Sequence, residues 1–128
     1  DMNYVQAHEL THRMDILEYN SSSNQVFIDS IDMCRKKVVD NASEIEAWFA
    51  EGGKYENDFA ISDIISALSN NEISVPVGHN DEYWKNPDNV SFEIFANISS
   101  IDVLGYESKA EFDSLLKELY EAYKEIVR

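Results

Sequence analysis

Apolar residues recur at helical spacing along most of this chain, and only one short stretch alternates as a strand would. Tyr4, Val5, Leu10, Met14, Ile16 and Leu17 mark one face of a helix over residues 2–19. Val26, Phe27, Ile31, Cys34 and Val38 do the same over 25–39. Ile45, Trp48 and Phe49 follow over 42–50, then Ile64, Ile65 and Leu68 over 62–69. A helix over 90–103 comes next, and a last one ends near Val127, with Phe112, Leu115, Leu116, Leu119, Tyr123 and Ile126 on its apolar side. The exception is Ile73-Ser74-Val75-Pro76-Val77, which predicts a short extended segment that Pro76 confines to a sheet edge. The expected fold class is therefore mainly α, an α+β chain with minor strand, forming one domain over residues 1–128.

Local punctuation predicts where these helices begin and end. Asn20–Asn24 is a polar break and Asn70-Asn71 a turn. Asn41 offers an N-cap with Glu44 three residues on, and Ser108 with Glu111 repeats that capping-box spacing. Gly52-Gly53 and Gly105 stand where helices close. Asp88 or Asn89 is expected to cap the helix at Val90, after an irregular stretch over 81–89 anchored by Tyr83 and Trp84.

Composition narrows the function classes. The chain has 44% hydrophobic residues, enough to build a core and to exclude a disordered acidic tail. Its 25 acidic and 10 basic side chains give a formal charge of −15. That charge argues against nucleic-acid backbones and anionic membranes as partners. No apolar run approaches the ~18 residues of a membrane span, and no signal peptide is visible. Cys34 is the only cysteine, which excludes an intrachain disulfide and a cysteine-based zinc cluster and leaves a small core residue. The chain opens at Asp1 with a helix almost at once, so the expectation is a C-terminal fragment of a longer protein.

The chemistry lies in His8-Glu9-Leu10-Thr11-His12. On a helix, positions i and i+4 differ by about 40° around the axis, so both imidazoles project from one face and can grip one metal ion. Zinc accepts neutral imidazole at ~2.0–2.1 Å. Glu9, about 100° round from His8, can reach a metal-bound water as general base and then protonate a leaving amine. A catalytic zinc needs a third protein ligand. Glu93 is the first candidate, because a carboxylate flanked by Phe92, Ile94, Phe95 and Ala96 needs a reason to be there. His79, in a loop after Gly78, is the rival. Asp15, three residues after His12, could fix a ligand histidine, and Tyr83 could donate to a developing oxyanion.

His8-Glu9-Leu10-Thr11-His12-Arg13-Met14-Asp15 resembles the HExxHxxD helix of anthrax lethal factor-type peptidase domains, which are zincins of the gluzincin type. Phe92-Glu93-Ile94-Phe95-Ala96 resembles the later ExFA helix of that group. The pair of motifs is also similar to zincin domains attached to phage minor head (head morphogenesis) proteins and to bacterial polymorphic toxins. Gly78-His79 with Tyr83-Trp84-Lys85 resembles a segment of the phage-linked members. The resemblance implies a zinc metallopeptidase with His8, His12 and Glu93 as ligands, Glu9 as base, and a protein or peptide substrate. It implies a cytoplasmic or virion-associated setting, with other phage head proteins as partners through a missing N-terminal part. The lethal-factor-type pattern has a second Glu four residues after the ligand Glu, where this chain has Asn97. Zincins also place an edge strand before the first motif helix, and only seven residues precede His8, so the N-terminal sheet is expected to be lacking. An inactive zincin-like interaction domain of a phage head protein, and an acidic decoy for a basic partner, are the alternatives.

Overall fold

A computed structural model describes residues 5–6, 8–10, 20–104 and 110–127. Val5, Gln6 and His8–Leu10 are helical, and the remainder of the helix expected over 2–19 lies outside the described residues. Among the described residues, a 3-10 turn at Ser21–Ser23 leads into seven α-helices. We label them α1 (Gln25–Asp40), α2 (Ala42–Phe49), α3 (Phe59–Ser69), α4 (Asp81–Trp84), α5 (Pro87–Leu104), α6 (Ala110–Leu115) and α7 (Lys117–Val127). The fold is mainly helical, and the described residues contain no strand. None of these helices is long and apolar enough to cross a membrane.

Two helices form the centre. Every residue of α3 from Ala60 to Ser69 is buried, as are Val90, Ser91 and the run from Glu93 to Ser100 in α5. A helix buried on all sides belongs in the middle of a bundle, and α3 and α5 pack directly on each other. Helix α1 packs on α3 with one face and on α7 with another. The expected residues Phe27, Ile31, Cys34 and Val38 form its buried stripe, whereas Val26, expected inside, is 56% exposed. Val26 is adjacent to Phe27 and so points about 100° away from it. Phe27 meets Phe95 of α5 edge-on at 5.7 Å, a favourable aromatic geometry.

The buried polar residues of α3 explain why residues 73–77 form no strand. Ser62 Oγ donates to the Val77 carbonyl at 2.6 Å and accepts from the Val77 N–H at 3.0 Å. Ser69 Oγ accepts from the Ile73 N–H at 3.3 Å. Asn71 Nδ2 donates to the His79 carbonyl at 2.8 Å. Backbone groups at both ends of the segment, on Ile73 and Val77, are thus bonded to side chains of α3. Gly78 lies so close to α3 that an added Cβ would sit 2.2 Å from Ser66 Oγ. Only glycine permits that approach, and it delivers His79 to the bundle.

Several boundaries differ from expectation. Residues 81–89 are not irregular: Asn80 Oδ1 accepts from the Tyr83 N–H at 2.9 Å and caps α4. Helix α5 starts at Pro87, with Asn86 Oδ1 accepting from the Asp88 N–H at 3.0 Å, so neither Asp88 nor Asn89 is its cap. Proline suits a first helical position because its missing N–H would be unpaired there anyway. Asn41 makes no side-chain cap; its amide donates back to the Lys37 carbonyl at 2.8 Å. The last helix is divided at Leu116, although the Leu116 N–H still reaches the Phe112 carbonyl at 2.8 Å. Ser108 and Gly105 lie outside the described residues. Glu111 bonds Lys54 and Tyr55.

Candidate metal centre

Helices α3 and α5 each carry one buried carboxylate to the same place. Asp63 is 5% exposed and Glu93 is 4% exposed. Both sit among apolar neighbours, so each needs bonded partners to be tolerated. The partners come from four separate segments. His8 Nε2, from the N-terminal helical residues, lies 2.9 Å from Glu93 Oε2. The Tyr83 hydroxyl of α4 donates to Glu93 Oε1 at 2.7 Å. His79, delivered by the loop, places Nδ1 3.1 Å from Asp63 Oδ1 and Nε2 3.6 Å from Glu93 Oε1. Asn97, one turn after Glu93 on α5, donates to Asp63 Oδ2 at 2.7 Å and to the Glu93 carbonyl at 2.9 Å.

The electrostatics follow from burial. Burial pushes the Asp63 carboxyl above its ordinary range, and the nearby Glu93 charge pushes it further. The Asn97 amide and the His79 imidazole oppose that rise. Burial, then the Glu93 carboxylate, push the Tyr83 phenol well above its ordinary value, so it remains a donor throughout the physiological range. Its ring stacks on His79 at a centroid distance of 4.1 Å and an interplanar angle of 16°. Trp84 meets both rings edge-on, at 5.0 Å from His79 and 5.1 Å from Tyr83.

Asp63, His79 and Glu93 offer ligand atoms that all lie within 4.8 Å of one another, a group that could hold a metal ion. Two ligands on one tetrahedral zinc at ~2.0–2.1 Å are separated by about 3.3 Å. The His8–Glu93 spacing of 2.9 Å and the His79–Glu93 spacing of 3.6 Å bracket that value.

The centre thus gathers five of the residues singled out from sequence. Glu93, His8, His79, Tyr83 and Asn97 converge, with Asn97 bonding Asp63. Glu9 is helical and exposed, next to His8. His12 and Asp15 lie outside the described residues. Asp63 escaped the sequence reading, although its signal resembles that of Glu93: a carboxylate between Ile61, Ile64 and Ile65 in an otherwise apolar helix. No family model, curated protein or solved structure matches the chain, so the meaning of this centre rests on its own residues.

Proposed function

We propose that this chain is a zinc-dependent metallopeptidase domain of the gluzincin type, with His8, His12 and Glu93 as metal ligands and Glu9 as general base. One observation carries the reading. The first histidine of the HExxH pair meets, across 85 positions of sequence, the carboxylate singled out as third ligand, at 2.9 Å. Glu93 is buried where an unneeded carboxylate would be costly.

A bound zinc ion would supply Lewis acidity toward a scissile carbonyl and acidify water at the site. The remaining work belongs to the chain. Glu9 takes the proton from the attacking water and returns it to the leaving amine. Tyr83 fixes one oxygen of Glu93 and leaves the other directed at His8. The likeness of both motifs to phage head-linked and toxin-linked zincins supports a phage- or toxin-associated setting.

The test is metal content together with cleavage. The chain, equilibrated with zinc and washed, is expected to retain it, and His8→Ala is expected to lose an equivalent. Glu9→Gln is expected to keep zinc and to lower cleavage of a degenerate peptide library about 10²–10⁴-fold. Zinc binding indifferent to His8→Ala sinks the site. Zinc retention without cleavage by the unaltered chain would leave a non-enzymatic zincin-like scaffold instead.

A further inference from the structure

We propose that Asp63, His79 and Glu93 form a second divalent-cation site, bridged by Glu93 to the His8 side, so that the centre takes a pair of ions. The identity of the first ion rests on the function proposed above. The second site rests on Asp63 and His79, which that function does not use.

The division of Glu93 is the first argument. Its Oε2 faces His8 Nε2 at 2.9 Å, and its Oε1 faces His79 Nε2 at 3.6 Å. A carboxylate with one oxygen toward each of two imidazoles has the arrangement of a bridging ligand. Tyr83 does not block this, because each carboxylate oxygen has two lone pairs and can accept a hydrogen bond while coordinating.

The donor set is the second argument. His79 Nδ1 lies 3.1 Å from Asp63 Oδ1, a hydrogen-bond distance that anchors the ring and leaves Nε2, on the Glu93 side, as the nitrogen free to ligate. With Glu93, the group stays within 4.8 Å. Two carboxylate oxygens and one imidazole nitrogen suit zinc or manganese. In hydrolytic two-metal sites the ions stand about 3.5–4 Å apart and clamp the attacking and leaving groups between them. His79, 37% exposed, is the member best able to adjust, while both carboxylates are fixed in the core.

Charge is the third argument. Asp63 and Glu93 repel each other in a dry environment. Among the described residues, no Lys or Arg bonds Asp63, whose partners are the Asn97 amide and the His79 ring. A dication there would offset both carboxylates at once.

The experiment counts ions. The full chain is titrated with Zn²⁺ in a calorimeter, and bound zinc is measured by elemental mass spectrometry after equilibrium dialysis. The same is done for Asp63→Asn, His79→Gln and His8→Gln, with circular dichroism confirming the fold of each. The unaltered chain is expected to bind two equivalents, Asp63→Asn and His79→Gln one each, and His8→Gln one. Loading with Mn²⁺ is expected to give the spin-coupled resonance signal of a bridged pair. A single equivalent that is lost in His8→Gln and unchanged in His79→Gln overturns the second site and leaves the proposed function standing. A single equivalent lost in His79→Gln and indifferent to His8→Gln overturns the bridged pair and the proposed function together. If Asp63→Asn does not fold, the partly exposed His79→Gln decides alone.

Discussion

Glu93 is the residue on which the centre turns, because the His8 imidazole and the Tyr83 hydroxyl approach its two oxygens from different segments. The Tyr83 hydroxyl holds Oε1 at 2.7 Å, so the carboxylate cannot rotate without breaking that bond. Partners of this kind, one bond removed from a metal, typically govern 10–100-fold in affinity. Tyr83→Phe keeps the ring that stacks on His79 and removes only the donor. It is expected to weaken zinc binding about 10-fold, read by competition with a chromophoric chelator. An unchanged affinity would show that Glu93 is held by its other contacts alone. The legibility of the site tracks this hierarchy. His8, Glu9 and Glu93 could be found because they belong to patterns of fixed spacing or stand out in an apolar run. Asp63 and its bond to Asn97 could not be found by spacing, since they join two helices whose register is set only by packing. Tyr83 was visible as a hydrogen-bond donor, but its acceptor was not.

At the scale of elements, helix α3 does two jobs at once. Its apolar residues fill the core, while Ser62, Ser66 and Ser69 bind the following loop. Ser66 Oγ also accepts from the Trp84 indole at 2.9 Å, which ties α4 to the same helix. Gly78 is where loop and helix come closest. A methyl group there would lie 2.2 Å from Ser66 Oγ and 2.6 Å from Ser66 Cβ, and Ser66 is already fixed by Trp84 and Asn71. Gly78→Ala is therefore expected to cost roughly 1–3 kcal/mol, the usual range for overpacking, and to lower the urea midpoint accordingly. Gly52→Ala is the control. Its φ of +75° also disfavours alanine, but nothing lies within 4 Å of the added methyl, so its cost is expected to be only about 1 kcal/mol. Equal midpoints for the two variants would contradict the packing account. The helices themselves were legible from their apolar period, and α1, α2 and α3 bury most of the residues that this period selects, with Val26 of α1 exposed and Trp48 of α2 only partly buried. Their starts were less legible. The working caps are Asn24, Asp58, Asn80 and Asn86, each bonding a backbone N–H two or three residues on. Asn and Asp are common in turns of every kind, so their capping role becomes visible only beside the finished helix.

For the whole molecule, a formal charge of −15 sets the electrostatic background, and three of its cations sit at joints between elements. Arg35 of α1 donates to the Leu68 carbonyl at 2.8 Å, at the C-terminal end of α3, where a cation is favoured. Lys37 of α1 bonds Glu118 of α7. Lys54 and the buried Tyr55 both bond Glu111 of α6, which ties the glycine turn after α2 to that helix. Lys54, then Tyr55, hold the Glu111 carboxyl down from 4.5 to about 2. A carboxyl depressed in the folded state stabilises that state above its unfolded value and loses the contribution as pH falls through the folded value. The window here is therefore pH 4.5 down to about 2. The unaltered protein cannot report this cleanly, because protonating its other acidic groups over the same range relieves self-repulsion. The difference between it and Glu111→Gln can. That variant is expected to have the lower urea midpoint at pH 6, with the gap narrowing below pH 4.5 and closing only as pH falls through about 2. Because Glu111 is only 30% exposed and bonds a buried phenol, the gap at pH 6 is also expected to survive 0.5 M salt better than a surface ion pair would. A gap that stays constant across the pH range would mean that the glutamine retains the Tyr55 bond and that the charge at this joint contributes nothing.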